Sequence, residues 1–199
     1  KILWLFYEGK RKKLKKILEK SGMPPRMVVT AVFDEGEPII SRIDWIKARA
    51  IEAKNNYGVT TLVIDNLDFL ELPEGSKTNE YEAMKVIIPT LAKMAVELNI
   101  ILVLIAHVRK PMTSGVPKRP YMHDIAGTSL VDRLCDIGFI VNRDRNDDGV
   151  FRDTTTVYLE NNRPSGIDKA IACLYRDGKL IDSESFVSDL KKSNPFMFD

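Results

Sequence analysis

The chain has 199 residues, of which 44% are hydrophobic and 29% charged, a composition typical of a globular domain with a substantial core. Its formal net charge is only +2, so the overall charge does not indicate binding to nucleic acid, and any basic surface must be local. Two isolated cysteines, Cys135 and Cys173, are too few for a disulfide framework or a zinc site and fit a reducing compartment. No apolar run reaches the length of a membrane span. The chain begins inside an apolar strand, so we expect it to be a fragment of a longer protein.

The first two thirds of the chain alternate short apolar runs with amphipathic helices. The apolar runs predict strands over 1–7, 27–33, 60–65 and 100–105. The helical patterns cover 10–20, a stretch from a Ser41 cap to Gly58, and 79–99. This alternation predicts right-handed βαβ units and a parallel sheet, whose runs without polar residues we expect to be buried on both faces.

The last third has a different pattern. Strands are predicted over 137–142, 154–159 and 171–175, and turn signals such as Asp177-Gly178 lie between them. We therefore predict an α/β fold with a mostly parallel central sheet flanked by helices and an antiparallel extension in the C-terminal third. One core is expected over residues 1–186, followed by a polar tail over 187–199.

Three predicted strands end in a polar residue that could take part in hydrolysis. Glu8 follows the first strand, Asp65 ends the central strand, and His107 follows the strand at 100–105. Carboxyl ends of neighbouring parallel strands meet at one edge of the sheet, where α/β proteins bind their ligands. A glutamate there can activate water, an aspartate can hold Mg²⁺, and a histidine can contact a phosphate. Each residue alone is weak evidence, and a lone histidine after a strand is more often structural, whereas the three together favour a nucleotide-hydrolysis site.

From Lys1 to Leu180 the chain resembles the RecA-like motor domain of hexameric replicative helicases, a group that includes the DnaB family, phage primase-helicases and Twinkle. The histidine at its sensor position resembles the phage and Twinkle branch. The resemblance is carried by the order and spacing of five short motifs. These are the strand ending at Glu8, the Walker B strand Leu62-Val63-Ile64-Asp65-Asn66, the sensor strand ending at His107, the segment Asp124-Ile125-Ala126-Gly127-Thr128-Ser129, and the turn Asn161-Asn162-Arg163-Pro164-Ser165-Gly166.

The resemblance implies a role for each matching residue. Glu8 is expected to polarise the attacking water, and Asp65 to hold Mg²⁺ beside the nucleotide, with Asn66 also at the nucleotide. His107 is expected to sense the γ-phosphate. Arg163 is expected to act as an arginine finger that reaches the nucleotide of the neighbouring subunit. The implied cofactors are ATP or another NTP together with Mg²⁺.

Two features depart from the family pattern. The Gly-rich phosphate-binding loop that precedes the glutamate strand in the family is absent, so we predict that this chain alone binds ATP poorly and does not hydrolyse it. Many members also have a lysine two residues before the finger arginine, and Asn161 occupies that position here. This departure leaves Arg163 to act alone.

Two basic stretches are candidates for contact with DNA. The loop from Val108 to Tyr121 carries four basic residues, for which the resemblance implies contact with single-stranded DNA. The four are Arg109, Lys110, Lys118 and Arg119. Without the resemblance, the sequence of this loop favours a solvated basic segment. The helix at 10–20 is also strongly basic, and its sequence favours a solvated face over phosphate binding.

The function predicted from these residues is the motor portion of an ATP-dependent, ring-shaped replicative DNA helicase. Expected partners are single-stranded DNA, further copies in a homo-hexamer or similar ring, and replisome proteins, but no membrane. A cytoplasmic location is expected, or another reducing, DNA-containing compartment such as a nucleoid, a phage-infected cell or an organelle matrix. Two alternatives remain open: a RecA-like or KaiC-like ATPase without unwinding activity, and a non-catalytic DNA-binding or scaffold module.

Overall fold

The computed structural model describes residues 1–9, 11–22, 28–31, 41–72, 79–108, 119–125, 130–145, 150–176 and 179–182. The strands are β1 (Ile2–Phe6), β2 (Val28–Ala31), β3 (Thr61–Asp65), β4 (Ile101–Ile105), β5 (Ile137–Arg145), β6 (Phe151–Asn162), β7 (Lys169–Arg176) and β8 (Lys179–Asp182). The α-helices are α1 (Arg11–Ser21), α2 (Ile43–Tyr57), α3 (Glu80–Glu97) and α4 (Leu130–Leu134). Short 3₁₀ turns span Leu67–Phe69 and Met122–Asp124.

The chain divides into two compact units, which are described separately. The first unit contains Lys1–His107 and Ile125–Leu134, and the second contains Val108–Asp124 and Cys135–Asp199. One core over residues 1–186 stays a prediction. The predicted tail at 187–199 lies outside the described residues.

The sheet of the first unit has the strand order β2-β1-β3-β4, and all of its pairs are parallel. Its central strands β1 and β3 are mostly apolar, and Leu5, Leu62 and Ile64 have no exposed surface. Phe6, Asp65 and Ile105 lie side by side in one row across β1, β3 and β4. The three strands therefore reach the same edge of the sheet in register.

Helices α2 and α3 bury their apolar stripes in the same core as this sheet. The buried residues of α2 are Ile43, Ile46, Ala50 and Ala53, and those of α3 are Met84, Ile87, Ile88, Leu91 and Met94. Gly58 ends α2 as predicted, in the left-handed conformation with φ of 64°, which an L-residue adopts only with strain.

The predicted Ser41 cap of α2 is wrong. Arg42 is the residue before the helix, with an extended backbone and no side-chain cap hydrogen bond. Ser41 is buried, and its carbonyl oxygen accepts a hydrogen bond of 3.2 Å from the backbone N–H of Glu71. A bridge between distant parts of the chain thus sets the start of α2.

The burial predicted for the strand at 100–105 is also wrong. Strand β4 is the last strand of the described sheet, and alternate residues on it are exposed: Ile101 (64%), Val103 (41%) and Ile105 (38%). Leu102 and Leu104 pack against the core from the other face. The strand is therefore covered on one face only.

The second unit contains a four-stranded antiparallel sheet with the order β5-β6-β7-β8. Ile140, Tyr158 and Ala172 on its strands are buried. The predicted α/β class is confirmed, with a parallel sheet, helices packed against it and antiparallel strands in the C-terminal third, which form a sheet of their own. Among the described residues, no helix has the length and apolar character needed to cross a membrane.

Candidate functional site

The carboxyl edge of the parallel sheet brings together the polar residues predicted from the strand ends. Glu8 and His107 each lie two residues beyond the row that pairs Phe6, Asp65 and Ile105. Strand β3 runs between β1 and β4, so the residue that follows Asp65 lies between the other two. That residue is Asn66, and its side chain joins the cluster.

Asn66 is fully buried and uses both ends of its side-chain amide. Its Nδ2 donates a hydrogen bond of 2.5 Å to Oε1 of Glu8. Its Oδ1 accepts a hydrogen bond of 3.0 Å from the backbone N–H of Asp68 and so caps the 3₁₀ turn. The same side chain therefore holds the glutamate and shapes the turn after β3.

The His107 ring lies between two carboxylates. Its Nδ1 is 2.7 Å from Oδ2 of Asp68, and its Nε2 is 3.3 Å from Oε1 of Glu8. Ionised carboxylates only accept hydrogen bonds, so both ring nitrogens can be satisfied at once only when both carry protons. The hydrogen bond with Asp68 correspondingly raises the pKa of His107, assisted by the negative charges of Asp68, Glu8 and Asp65 and opposed by partial desolvation. Nδ2 of Asn66, which is 3.5 Å from Nδ1, is then a neighbour and not a hydrogen-bond partner.

Asp65 lies at the base of the cluster and is almost fully buried. Burial raises the pKa of the Asp65 carboxyl, and the nearby charge of Glu8 raises it further. A divalent cation would relieve both penalties, so this carboxylate fits a role in holding Mg²⁺. Within the described ranges, no group of three or more His, Cys, Asp or Glu side chains is arranged to bind a metal ion unaided. A metal here would take its other ligands from water and from a nucleotide.

The backbone around the cluster is fixed by contacts between β1 and the turn after β3. The backbone N–H of Tyr7 donates a hydrogen bond of 2.7 Å to the carbonyl oxygen of Asp65. The buried Tyr7 ring stacks on Phe69 with the ring centres 6.1 Å apart, and burial raises the pKa of its hydroxyl. Nζ of Lys13 donates a hydrogen bond of 3.2 Å to the carbonyl oxygen of Glu8. These contacts hold the polar cluster of the first unit in a defined geometry.

Arg163 belongs to the second unit and lies in the turn that follows β6. Its side chain is exposed, and its backbone N–H donates a hydrogen bond of 3.0 Å to the carbonyl oxygen of Asp136. Nδ2 of Asn162 braces the same turn with a hydrogen bond of 3.0 Å to the carbonyl oxygen of Ile167. The turn that carries Arg163 is therefore held by hydrogen bonds within the second unit. The role of Arg163 as an arginine finger stays a prediction.

Three of the four predicted DNA contacts, Arg109, Lys110 and Lys118, lie outside the described residues. The fourth, Arg119, is held within the second unit. Its guanidinium is 2.5 Å from Oε1 of Glu160 and lies over the rings of Tyr121 and Tyr158. Its charge is therefore already paired with Glu160, which reduces its availability for phosphate.

Asp68 was not among the site residues predicted from the sequence, although the structure shows it hydrogen-bonded to His107. The available signal was an Asn followed two residues later by an Asp, directly after a strand. This pattern indicates a turn in which the Asn side chain accepts from a backbone N–H. The turn brings Asp68 back to the edge of the sheet, where it meets the residue after β4.

The chain is similar to known helicase domains. The DnaB-like helicase C-terminal domain family matches residues 11–179. A solved DnaB-like replicative helicase, described with its interactions with primase, has a similar fold with a TM-score of 0.73 at 15% identity. A solved ATPase domain has a TM-score of 0.72 at 16% identity. No curated protein matches the chain.

The coverage of these matches is unequal. Each structural similarity includes 92% of this chain, which spans 51% of the replicative helicase and 74% of the ATPase domain. The family match begins after Glu8 and so includes neither β1 nor this glutamate. The assignment of both rests on the fold. Because the match extends over most of the chain, this protein belongs to the DnaB-like helicase C-terminal domain family and has the RecA-like fold.

Proposed function

We propose that this chain is the motor portion of a ring-shaped replicative DNA helicase that hydrolyses NTP between subunits and moves on single-stranded DNA. The observation that carries the proposal is the joining of Glu8, Asn66 and His107 by direct contacts at the carboxyl ends of three adjacent parallel strands. A base, an amide and a cationic imidazole at one sheet edge are suited to hydrolysis of a phosphoanhydride.

Glu8 is the general base in this scheme. Its carboxylate is held by Asn66 on one side and contacted by His107 on the other. A γ-phosphate attracts the doubly protonated His107 ring away from Glu8, which leaves the carboxylate free to take a proton from water. The hydrogen bond from Asn66 keeps the Glu8 carboxylate in its orientation while His107 moves away. Both ends of the Asn66 amide are already bonded within the protein, so we assign it a positioning role in place of the predicted direct contact with nucleotide.

Asp68 is a positioning residue for His107. Its carboxylate, 2.7 Å from Nδ1, favours the charged ring and fixes its orientation. Asp65 is the residue that would hold Mg²⁺, and the bound ion would neutralise the phosphate oxygens and align them. The resemblance to the family assigns the remaining phosphate contacts to a Gly-rich loop, which these 199 residues do not contain, so the chain by itself should bind ATP poorly.

Arg163 is proposed to act on the nucleotide of the neighbouring subunit. Mixing two inactive variants of the complete protein tests this proposal. Glu8→Gln subunits retain the arginine, and Arg163→Ala subunits retain the base, so mixed rings contain interfaces with both groups intact. Partial recovery of ATPase activity is expected on mixing. No recovery, together with normal assembly, would place Arg163 outside the neighbouring site. Arg152→Ala, which removes an exposed arginine from β6, is the control and should keep its activity.

Unwinding separates a helicase from a RecA-like ATPase that does not displace strands. The complete protein is expected to show ATPase activity stimulated by single-stranded DNA and to release one strand from a forked duplex. DNA-stimulated hydrolysis without strand release would favour the non-unwinding ATPase. Absence of nucleotide binding by the complete protein would favour a scaffold module.

A further inference from the structure

Helix α1 concentrates positive charge in a chain that has little net charge. Its 11 residues include six basic side chains and one acidic side chain, whereas the whole chain has a formal net charge of +2. The first turn of the helix contains no acidic residue, so the charges of Lys12 and Lys13 lie near the positive end of the helix dipole with no negative side chain beside them in that turn. Such an arrangement costs helix stability unless anions bind to it.

The structure separates the lysines of α1 by their contacts. Lys13 turns toward the candidate active site and bonds the carbonyl oxygen of Glu8, and Lys15 is 3.9 Å from Glu19. The remaining three lysines are exposed and have no acidic partner within 4.0 Å among the described residues. These are Lys12, Lys16 and Lys20.

The lysines of the other long helices behave differently. Three of the four lysines on α2 and α3 form an ion pair with a glutamate: Lys47 at 3.4 Å, Lys85 at 2.8 Å and Lys93 at 3.7 Å. The fourth, Lys54, donates a hydrogen bond of 3.4 Å to the carbonyl oxygen of Asn99. Exposed lysines in this unit are thus commonly paired, and the three on α1 are an exception. This contrast argues against an ordinary solvated helix face, which the sequence alone favoured.

The three lysines form one continuous surface. They lie four residues apart, which places them on the same side of the helix over a length of about 12 Å. Ile17, with 38% of its surface exposed, lies beside this row and lines a shallow concavity together with the three lysines and Lys13. We call the surface formed by Lys12, Lys16, Ile17 and Lys20 the lysine face of α1.

We propose that the lysine face of α1 binds the backbone of single-stranded DNA, a site separate from the loop at 108–121. An unpaired row of lysines fits the repeated phosphates of a nucleic-acid backbone. The choice of DNA as the polymer rests on the proposed function. The exposed Ile17 favours a single strand over a duplex, because unpaired bases offer apolar faces that a closed duplex does not.

The test is a comparison of two triple variants of the complete protein. One replaces Lys12, Lys16 and Lys20 by Gln, which preserves helix propensity. The control replaces Lys47, Lys85 and Lys93 by Gln, which removes the same charge from the paired lysines. Binding of a labelled oligothymidine is measured by fluorescence anisotropy over a range of salt concentrations, and thermal unfolding of each variant checks its folding.

The expected result follows from counterion release. Loss of three phosphate contacts should lower the steepness of the log–log salt dependence by about 2 and weaken binding roughly a hundredfold at about 0.1 M salt. The control should keep the wild-type slope. If the lysine-face triple does not fold, each single glutamine variant should lower the slope by about 0.7.

Three results would overturn the proposal. They are equal slopes for the lysine-face variant and the control, an equal loss of binding to a closed duplex, and a loss confined to an acidic polypeptide such as polyglutamate. If the wild-type protein does not bind single-stranded DNA, the proposed function fails as well. If the wild type binds but the lysine-face variant matches the control, only the lysine face is refuted.

Discussion

Replacing Asn66 by Ala should destabilise the protein more than loss of an ordinary helix cap. The fully buried side chain donates to the Glu8 carboxylate and accepts from the backbone N–H of Asp68. A hydrogen bond to a charged group contributes about 1.5–3 kcal/mol, and a cap acceptor about 1 kcal/mol. One side chain makes both contacts, so the terms overlap, and we expect a total loss of about 2–4 kcal/mol.

Asn79→Ala is the matched control, because Asn79 is exposed and caps α3 through a single hydrogen bond of 2.9 Å to the backbone N–H of Glu82. Its loss should cost about 1 kcal/mol. Urea denaturation of both variants, with unchanged m-values, measures the difference in the free energy of unfolding. If Asn66→Ala costs no more than Asn79→Ala, the contact with Glu8 contributes nothing, and the network described at the sheet edge is not a cooperative unit.

Three further predictions concern pH dependence, packing and backbone conformation. The folded pKa of His107 is raised, so its stabilising contribution is complete below its unfolded value of 6.5 and is lost as the pH rises through the folded pKa. Asp68→Asn should therefore reduce stability more at acidic than at alkaline pH, as urea denaturation across a pH series would show. Leu62→Ala, in the buried centre of the sheet, should cost about 2–5 kcal/mol, whereas Val103→Ala on the exposed face of β4 should cost under about 1 kcal/mol. Gly58→Ala should cost roughly 1–2 kcal/mol in thermal or urea unfolding because its φ is 64°, and a neutral result would refute this explanation of the helix end.

The sequence was sufficient for the parts of the fold that depend on local periodicity. The apolar runs predict the parallel strands. Because neighbouring parallel strands end together, their positions also predict that Glu8 and His107 lie at one edge of the sheet. Their direct contact depends on register, and Asn66 lies between them because β3 is flanked by both other strands. Register between distant strands leaves no local signal in the sequence.

Other features depend on contacts between distant segments. Every residue from Ile101 to Ile105 is apolar, so the pattern could not reveal that one face of β4 is exposed. The Ser41 cap failed because the backbone of Ser41 pairs with Glu71, thirty positions away in the chain. Asp68 was missed because it acts only after the 3₁₀ turn carries it back toward His107.

Glu8→Gln in the complete protein tests most directly whether the strand ends form a hydrolysis site. The amide keeps the size of the side chain but cannot take a proton from water, so ATP turnover should fall by about 10²–10⁴-fold while Mg²⁺-ATP binding is retained. Glu19→Gln on α1 is the control, because this exposed glutamate pairs with Lys15 and with no other basic side chain in the described part of the chain, and its turnover should match the wild type. Turnover of Glu8→Gln within tenfold of the wild type, or an equal loss of nucleotide binding, would show that Glu8 is not the base.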